Sequence, residues 1–357
     1  MSVFYLAATP PVYGKYTGYR LLPDYVSALH PETQVVEAKM NLFREFLGRR
    51  YVRWTPSSRK KQYSFAGAEC VFYFKTGRLR KDAVHHVVIY EAHHHFWERW
   101  KKGPKNVIAT IHHARPPEMS RAMIDNLHRL GSLIVLASDQ MDFLESHVGK
   151  GRVKFIRHGV DVEFFRPGGG YVEPRRLVFT GRIERNTKML SRVVRILAGR
   201  HSELRFDLLV SERQRKQEEF RALEGHPAVV FHQGISDESL LKLYQDAYLL
   251  LMPLEKTAAN NTVVEAMACG TPPVTCDVGG IGDYGGGSLY PVASNDDDEA
   301  MVALVERYLE DSDWRERVAR DGRAFAEREL NWPLIARQHL EAYEELAGVV
   351  GLVPAGG

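Results

Sequence analysis

The feature that most constrains this chain is an alternation of short apolar stretches with longer amphipathic ones, run through twice. In the first run, "VFYLAA", "HHVVIYEA", "NVIATIHH", "SLIVLAS" and "VKFIRHG" are separated by segments such as "PEMSRAMIDNLHRL", whose apolar spacing suits a helix. Short apolar runs with helices between them specify parallel strands joined by helical crossovers. Glycine and proline gather between Pro167 and Pro174, and the pattern then restarts. The second run sets "RLVFTGR", "LRFDLLV", "AVVFHQG", "YLLLMPL" and "PPVTCDV" against "NTKMLSRVVRILAG", "RQRKQEEFRALEG", "DESLLKLYQDA" and "NTVVEAMACG". At 357 residues the chain exceeds one hydrophobic core. The expected fold class is therefore α/β, with two doubly wound Rossmann-like domains over 1–165 and 166–332. Residues 333–357 form an amphipathic helix crossing back to the N-terminal domain, followed by a loose tail. In such sheets ligands lie beyond the carboxyl ends of the strands, so two domains facing each other make a cleft.

Charge is unevenly shared. Residues 1–165 hold 25 Lys and Arg against 15 Asp and Glu, a balance of +10, and 166–357 hold 23 against 30, a balance of −7. Much of the excess lies in 44–81, in "REFLGRRYVRWTPSSRKK" and "FKTGRLRK", where Tyr51, Trp54, Tyr63, Phe72 and Phe74 interleave the cations. A solvated basic face is one reading; contact with an anionic membrane surface or another anionic acceptor is the other. No nucleic-acid module accompanies the charge. Three cysteines without metal-ligand spacing, no apolar run long enough to span a bilayer and no secretory leader point to a cytoplasmic protein, at most at the inner face of the membrane.

Two stretches carry the candidate chemistry. "FTGRIERNTKML" sets Gly181 and Arg182 at a strand end and Lys188 at a helix opening, a pairing of cations and free amides that suits a diphosphate. "NNTVVEAMACGTPPV" places Glu265 three residues after Thr262, the spacing of a capping box, so a helix start competes with a ligand role for this carboxylate.

Together, "GRIERNTK", "FHQGISDESLLKLYQDAYLLLMP" and "NNTVVEAMACGTPPVTCDVGG" resemble, in order and spacing, the donor domain of retaining glycosyltransferases with two Rossmann-like domains, the GT-B fold, family 4 (glycosyl transferases group 1). "FIRHGVDVEFFRP" is similar to that family's interdomain segment, and the likeness extends from Phe155 to Trp332. The resemblance implies that Arg182 and Lys188 neutralise the departing nucleotide, the role metals play in the other large transferase fold. It implies that Glu265, the second glutamate of Glu-x7-Glu, holds the ribose. Gly279 and Gly280 match a glycine pair beneath the phosphates, and Gly234, in "HQG" from His232, lies where backbone groups read the base. Gly181 and Gly14 match glycines of the donor site, and His112 matches the histidine beside the donor sugar, with His113 next to it.

One position departs from the family. Where the first glutamate of the motif belongs stands Thr257, and the loop offers instead the neutral side chains of Thr257, Asn260, Asn261 and Thr262 to a donor sugar. Asn260 and Asn261 also read as turn formers that open a helix. Zinc at His93–His95 or His112–His113 lacks a familiar ligand interval, and the acidic run "NDDDE" reads as a helix cap. The resemblance implies a metal-independent, cofactor-free transfer, with retention, of a hexose-type sugar. The donor is a nucleotide diphosphate sugar, a UDP- or GDP-sugar, and the acceptor is a hydroxyl of a glycan, a small molecule or a lipid-linked species. An inactive sugar-nucleotide-binding scaffold or sensor, or a sugar-nucleotide epimerase, are the alternatives.

Overall fold

A computed structural model describes residues 1–7, 14–37, 46–50, 63–94, 105–113, 119, 121–181 and 183–351. The chain divides into two units: Met1–Tyr13, Gly18–Arg157 and Trp332–Gly357 form one, and Gly14–Thr17 with His158–Asn331 form the other. The first is called unit 1 below, the second unit 2.

Unit 1 is built on β1 (Ser2–Ala7), β2 (Thr33–Glu37), β3 (Ala83–Val87), β4 (Val107–Ile111), β5 (Ser132–Val135) and β6 (Val153–Phe155). All are parallel, in the order β2-β1-β3-β4-β5-β6. Helices α1 (Leu22–Leu29), α2 (Tyr63–Lys75), α3 (Arg121–Leu127) and α4 (Met141–Val148) provide crossovers. Strands β3, β4 and β5 are buried at every position, which is why they read as continuous apolar runs rather than alternating ones. His85 and His86 sit inside β3 and face opposite sides. His85 stacks on Phe4 at 5.4 Å, and His86 is bonded by Thr110 and Tyr343, each at 2.8 Å.

Unit 2 repeats the plan with β7 (Arg176–Thr180), β8 (Arg205–Leu209), β9 (Val229–His232), β10 (Leu249–Met252), β11 (Pro273–Cys276) and β12 (Val292–Ala293). The strands are parallel in the order β12-β11-β10-β7-β8-β9. That is the doubly wound dinucleotide-fold order, with its reversal between β7 and β10. The longer helices are α5 (Thr187–Arg200), α6 (Asp237–Asp246), α7 (Asn261–Ala268), α8 (Asp298–Glu310) and α9 (Ser312–Glu329). The last helix, α10 (Trp332–Val349), returns to unit 1, where the Tyr343 hydroxyl bonds that of Tyr5 on β1 at 2.6 Å. The α/β reading, with two doubly wound sheets and a C-terminal helix that returns to the first of them, therefore holds.

Local readings differ in three places. The single helix expected over "RQRKQEEFRALEG" is two short ones, Glu212–Arg215 and Glu218–Arg221. A capping box between Ser211 and Gln214 starts the first, and extended Gln217 resets the chain so that Phe220 is buried. Strands β2 and β12 were not anticipated, being edge strands with too few apolar positions to stand out. The acidic run does cap a helix, Asp297 accepting from the Ala300 amide at 2.9 Å. Cys70, Cys269 and Cys276 are buried and form no disulfide with one another, and among the described residues no helix is long and apolar enough to cross a membrane.

Candidate functional site

The reversal between β7 and β10 brings two loops side by side at the carboxyl ends of unit 2's strands. After β7 the backbone turns at Gly181, with φ of +104°, a conformation that favours glycine; a Cβ there would also meet the Arg185 guanidinium. Arg185 bonds the carbonyls of Thr180 and Ile183 at 3.2 and 2.8 Å, and reaches Asn260 Oδ1 and Thr262 Oγ1 at 3.4 and 3.3 Å. It is the cation that sequence reasoning passed over, although it stands between Gly181 and Lys188 in the same motif. Lys188 is exposed in the first turn of α5, capped by Asn186, and makes no ion pair to another described residue. Arg182 lies outside the described residues.

Helix α7 corrects the reading of Thr262 and Glu265 as a capping box. Asn260 is the N-cap, accepting from the Val263 amide at 3.3 Å, so Thr262 is already inside the first turn and Glu265 is too deep to reach a free amide. The Thr262 hydroxyl pairs instead with Thr180 at 3.1 Å. Glu265 is 4% exposed, and its carboxylate accepts from the Thr17 hydroxyl and, at 3.1 Å, from that of Tyr244 on α6. Burial raises the Glu265 pKa to about 7 against the lowering effect of these two hydrogen bonds; Asp237 raises it further and Arg185 opposes. Tyr244 remains a donor, because burial and the neighbouring carboxylate hold its pKa well above the ordinary value. The Asn260 amide nitrogen is buried without a hydrogen-bond partner, while Asn261 opens the helix half-buried.

Thr257 is enclosed rather than presented. Its hydroxyl donates to the Ala259 carbonyl at 3.0 Å, and its own carbonyl accepts from the Gly280 amide at 3.0 Å. Gly279, at φ of +52°, passes so close that a Cβ would collide with that carbonyl oxygen. The glycine pair thus ties the loop after β11 to the loop after β10. Gly234 turns at φ of +59° after β9 with open space around it, and neighbouring His232 bonds buried Asp207 at 2.6 Å. Gly14 lies against Asp237, which accepts from the Lys15 amide at 2.6 Å, while Tyr16 stacks on Phe164 at 3.8 Å. Structure therefore gathers Glu265, Thr262, Asn260 and Gly181 with Arg185, Tyr244 and Thr17 around the switch point, and joins Thr257, Gly279 and Gly280 in an adjoining brace.

Within unit 1, His112 immediately follows β4. Its Nε2 bonds the Val88 carbonyl at 2.8 Å, so that nitrogen carries the proton and Nδ1 is left as an acceptor. Burial lowers its pKa, partly offset by Glu91, and the imidazole is neutral near pH 7. Glu91, absent from the candidates, fixes this corner: one oxygen accepts from the amides of His112 and His113 at 2.7 and 2.8 Å. The Tyr19 ring meets His112 edge-on at 4.9 Å. Of the basic 44–81 stretch, 51–62, with Arg53, Trp54, Arg59, Lys60 and Lys61, lies outside the described residues, as does His95. His93 is buried beside Glu69, and burial lowers its pKa to about 3.

Residues 174–311, spanning β7 to the end of α8, match the family model described as glycosyl transferases group 1. That stretch, 39% of the chain, is similar to a group 1 glycosyltransferase domain. A D-inositol 3-phosphate glycosyltransferase of Streptomyces avermitilis is 28% identical over 174 residues, 42% of this chain and 38% of that relative. The alignment thus spans well under half of the relative's length. Among solved structures, sucrose-phosphate synthase from Thermosynechococcus elongatus superposes with a TM-score of 0.76 at 17% identity, over 98% of this chain and 100% of the other. Anabaena HepE in complex with UDP-glucose gives 0.70 at 13% identity, over 97% and 100%. The group 1 match covers Gly181, Gly234, Thr257, Glu265, Gly279 and Gly280, whereas His112 and Gly14 lie outside it.

Proposed function

We propose that this GT-B chain is a retaining glycosyltransferase that moves a sugar from a nucleotide diphosphate to a hydroxyl acceptor. Unit 2 takes the donor and unit 1 the acceptor. The observation that carries the reading is Glu265: a buried carboxylate at the switch point of the group 1 domain, held by two hydroxyls and costly to keep charged without further donors. A ribose diol supplies such donors. Lys188, in the first turn of α5 beside its free amides, stabilises the charge that grows on the diphosphate as the nucleotide leaves, the role that the family resemblance also gives Arg182. The acceptor attacks from the leaving-group face and its proton passes to the diphosphate oxygen, which gives retention without an enzyme nucleophile. His112, as a neutral acceptor at Nδ1, orients a sugar hydroxyl. The cations perform the role a metal would otherwise fill, so activity persists in chelator.

HepE, of the same fold, forms a complex with UDP-glucose, which puts UDP-glucose first in a donor panel. The named acceptor of the Streptomyces relative is an inositol phosphate, so acceptors with and without phosphate belong in the test. Incubation of UDP- and GDP-sugars with a glycan, polyol and lipid-linked acceptor panel, followed by proton NMR of the anomeric signals, reads the function directly. Transfer giving the donor's own anomeric configuration, undiminished by EDTA, is expected. Nucleotide release without acceptor would support the epimerase reading, and binding without turnover the scaffold. The basic 44–81 stretch gives liposome sedimentation that rises with anionic lipid and falls with salt.

A further inference from the structure

Gly14–Thr17 groups with unit 2, although the chain on either side of it belongs to unit 1. This short strap lies in no helix or strand, and its contacts with unit 2 are specific. The Lys15 amide donates at 2.6 Å to the carboxylate of Asp237, the first residue of α6. Gly14 permits that approach, because a Cβ there would overlap the same carboxylate. The Tyr16 ring lies flat on Phe164, with centroids 3.8 Å apart and an interplanar angle of 5°. The Thr17 hydroxyl donates to Glu265 Oε1, while Oε2 accepts from Tyr244 at 3.1 Å. Covered in this way, Glu265 is 4% exposed. A ribose diol has no route to so enclosed a carboxylate until a covering group moves. The two hydroxyl partners differ in what their movement would disturb: Tyr244 is wholly buried in the core of unit 2, whereas Thr17 is half-buried on a bend.

We propose that Gly14–Thr17 is an autoinhibitory strap in which the Thr17 hydroxyl occupies the place of a ribose hydroxyl on Glu265, so that a nucleotide binds only by displacing it. The proposal rests on the reading of Glu265 as the ribose carboxylate and adds a control on access to that site. Without nucleotide, Thr17 satisfies a buried acceptor that is costly to leave bare. With nucleotide, the diol offers two hydroxyls for the one withdrawn, and the strap gives up an aromatic stack and single hydrogen bonds rather than packed core. The apparent affinity is the intrinsic affinity reduced by the fraction of molecules whose strap is open. Weakening the strap without altering Glu265 therefore tightens nucleotide binding.

Hydrogen exchange read by mass spectrometry, together with calorimetric titration of UDP and GDP, tests this on the whole 357-residue chain. Saturating nucleotide is expected to speed exchange at the Lys15 amide at least fivefold, because its bond to Asp237 opens with the strap. Tyr16→Ala, which removes the stack, and Thr17→Val, which keeps the shape and removes the hydroxyl, are each expected to tighten nucleotide binding at least threefold, with unfolding still cooperative. Slower or unchanged exchange on adding nucleotide, or binding unchanged or weakened in both variants, would overturn the proposal. Slower exchange with weaker binding is the signature of a segment that closes over the nucleotide instead. Absence of nucleotide binding to native protein and to both variants refutes the ribose reading of Glu265 itself, whereas measurable binding with a strap that stays protected refutes the strap alone.

Discussion

At the scale of single residues, Glu265 holds the tension between stability and binding. Its folded pKa of about 7 exceeds the ordinary 4.5, so the native state binds the proton more tightly than the unfolded chain. The favourable contribution is complete below pH 4.5 and is lost as pH rises through 7, a cost of about 3 kcal/mol to the ligand-free protein. Thermal unfolding of ligand-free protein from pH 5 to pH 8 should show this loss, and Glu265→Gln should flatten the profile and melt higher at pH 8. Nucleotide affinity should move the other way, stronger at pH 8 than at pH 6, because a ribose diol donates more strongly to the carboxylate than to the acid, which accepts only weakly and itself carries a proton. Lys188 belongs to a different class: exposed and unpaired among described residues, it contributes little to folding. Lys188→Ala should lower turnover about 100- to 1,000-fold, as loss of a donor to developing charge does, with no change in melting temperature.

At the scale of elements, the entry to α7 explains why two adjacent asparagines are not equivalent. Asn260 caps the helix, whereas Asn261 is its first residue. Asn260→Ala should cost about 1 kcal/mol, a fall of roughly 2–4 °C in melting temperature, while Asn261→Ala leaves melting unchanged. The sequence showed a helix start here but assigned its cap two residues late, since Thr262 and Glu265 satisfy the capping spacing and only the path from β10 makes Asn260 the last extended residue before the helix. The loops after β10 and β11 form a second unit of this kind. Gly279→Ala adds a Cβ against the Thr257 carbonyl at positive φ, and should cost about 2 kcal/mol, with weakened nucleotide binding in calorimetry as the local readout.

For the molecule as a whole, the twofold alternation of apolar and amphipathic segments was enough to specify two parallel sheets, because strands buried on both faces leave continuous apolar runs. It could not show the strand order, and the order is what places Gly181 next to the head of α7. Several site partners were hidden for the same reason: Tyr244 and Thr17 lie 21 and 248 positions from Glu265, and Glu91 meets the His112 and His113 amides from 21 and 22 positions away. No local pattern encodes such pairs. Arg185 was the exception, visible in the motif yet eclipsed by the two cations that matched a family pattern.

The central claim is that the switch point around Glu265 holds a nucleoside diphosphate. Calorimetric titration of UDP and GDP at pH 8 into native protein, Glu265→Gln and Lys188→Ala tests it most directly. The account predicts binding of at least one nucleotide to native protein, tenfold or greater weakening in each variant, and unfolding transitions that remain cooperative in all three. Equal affinity in native and variant proteins, or no binding of either nucleotide to native protein, would contradict it.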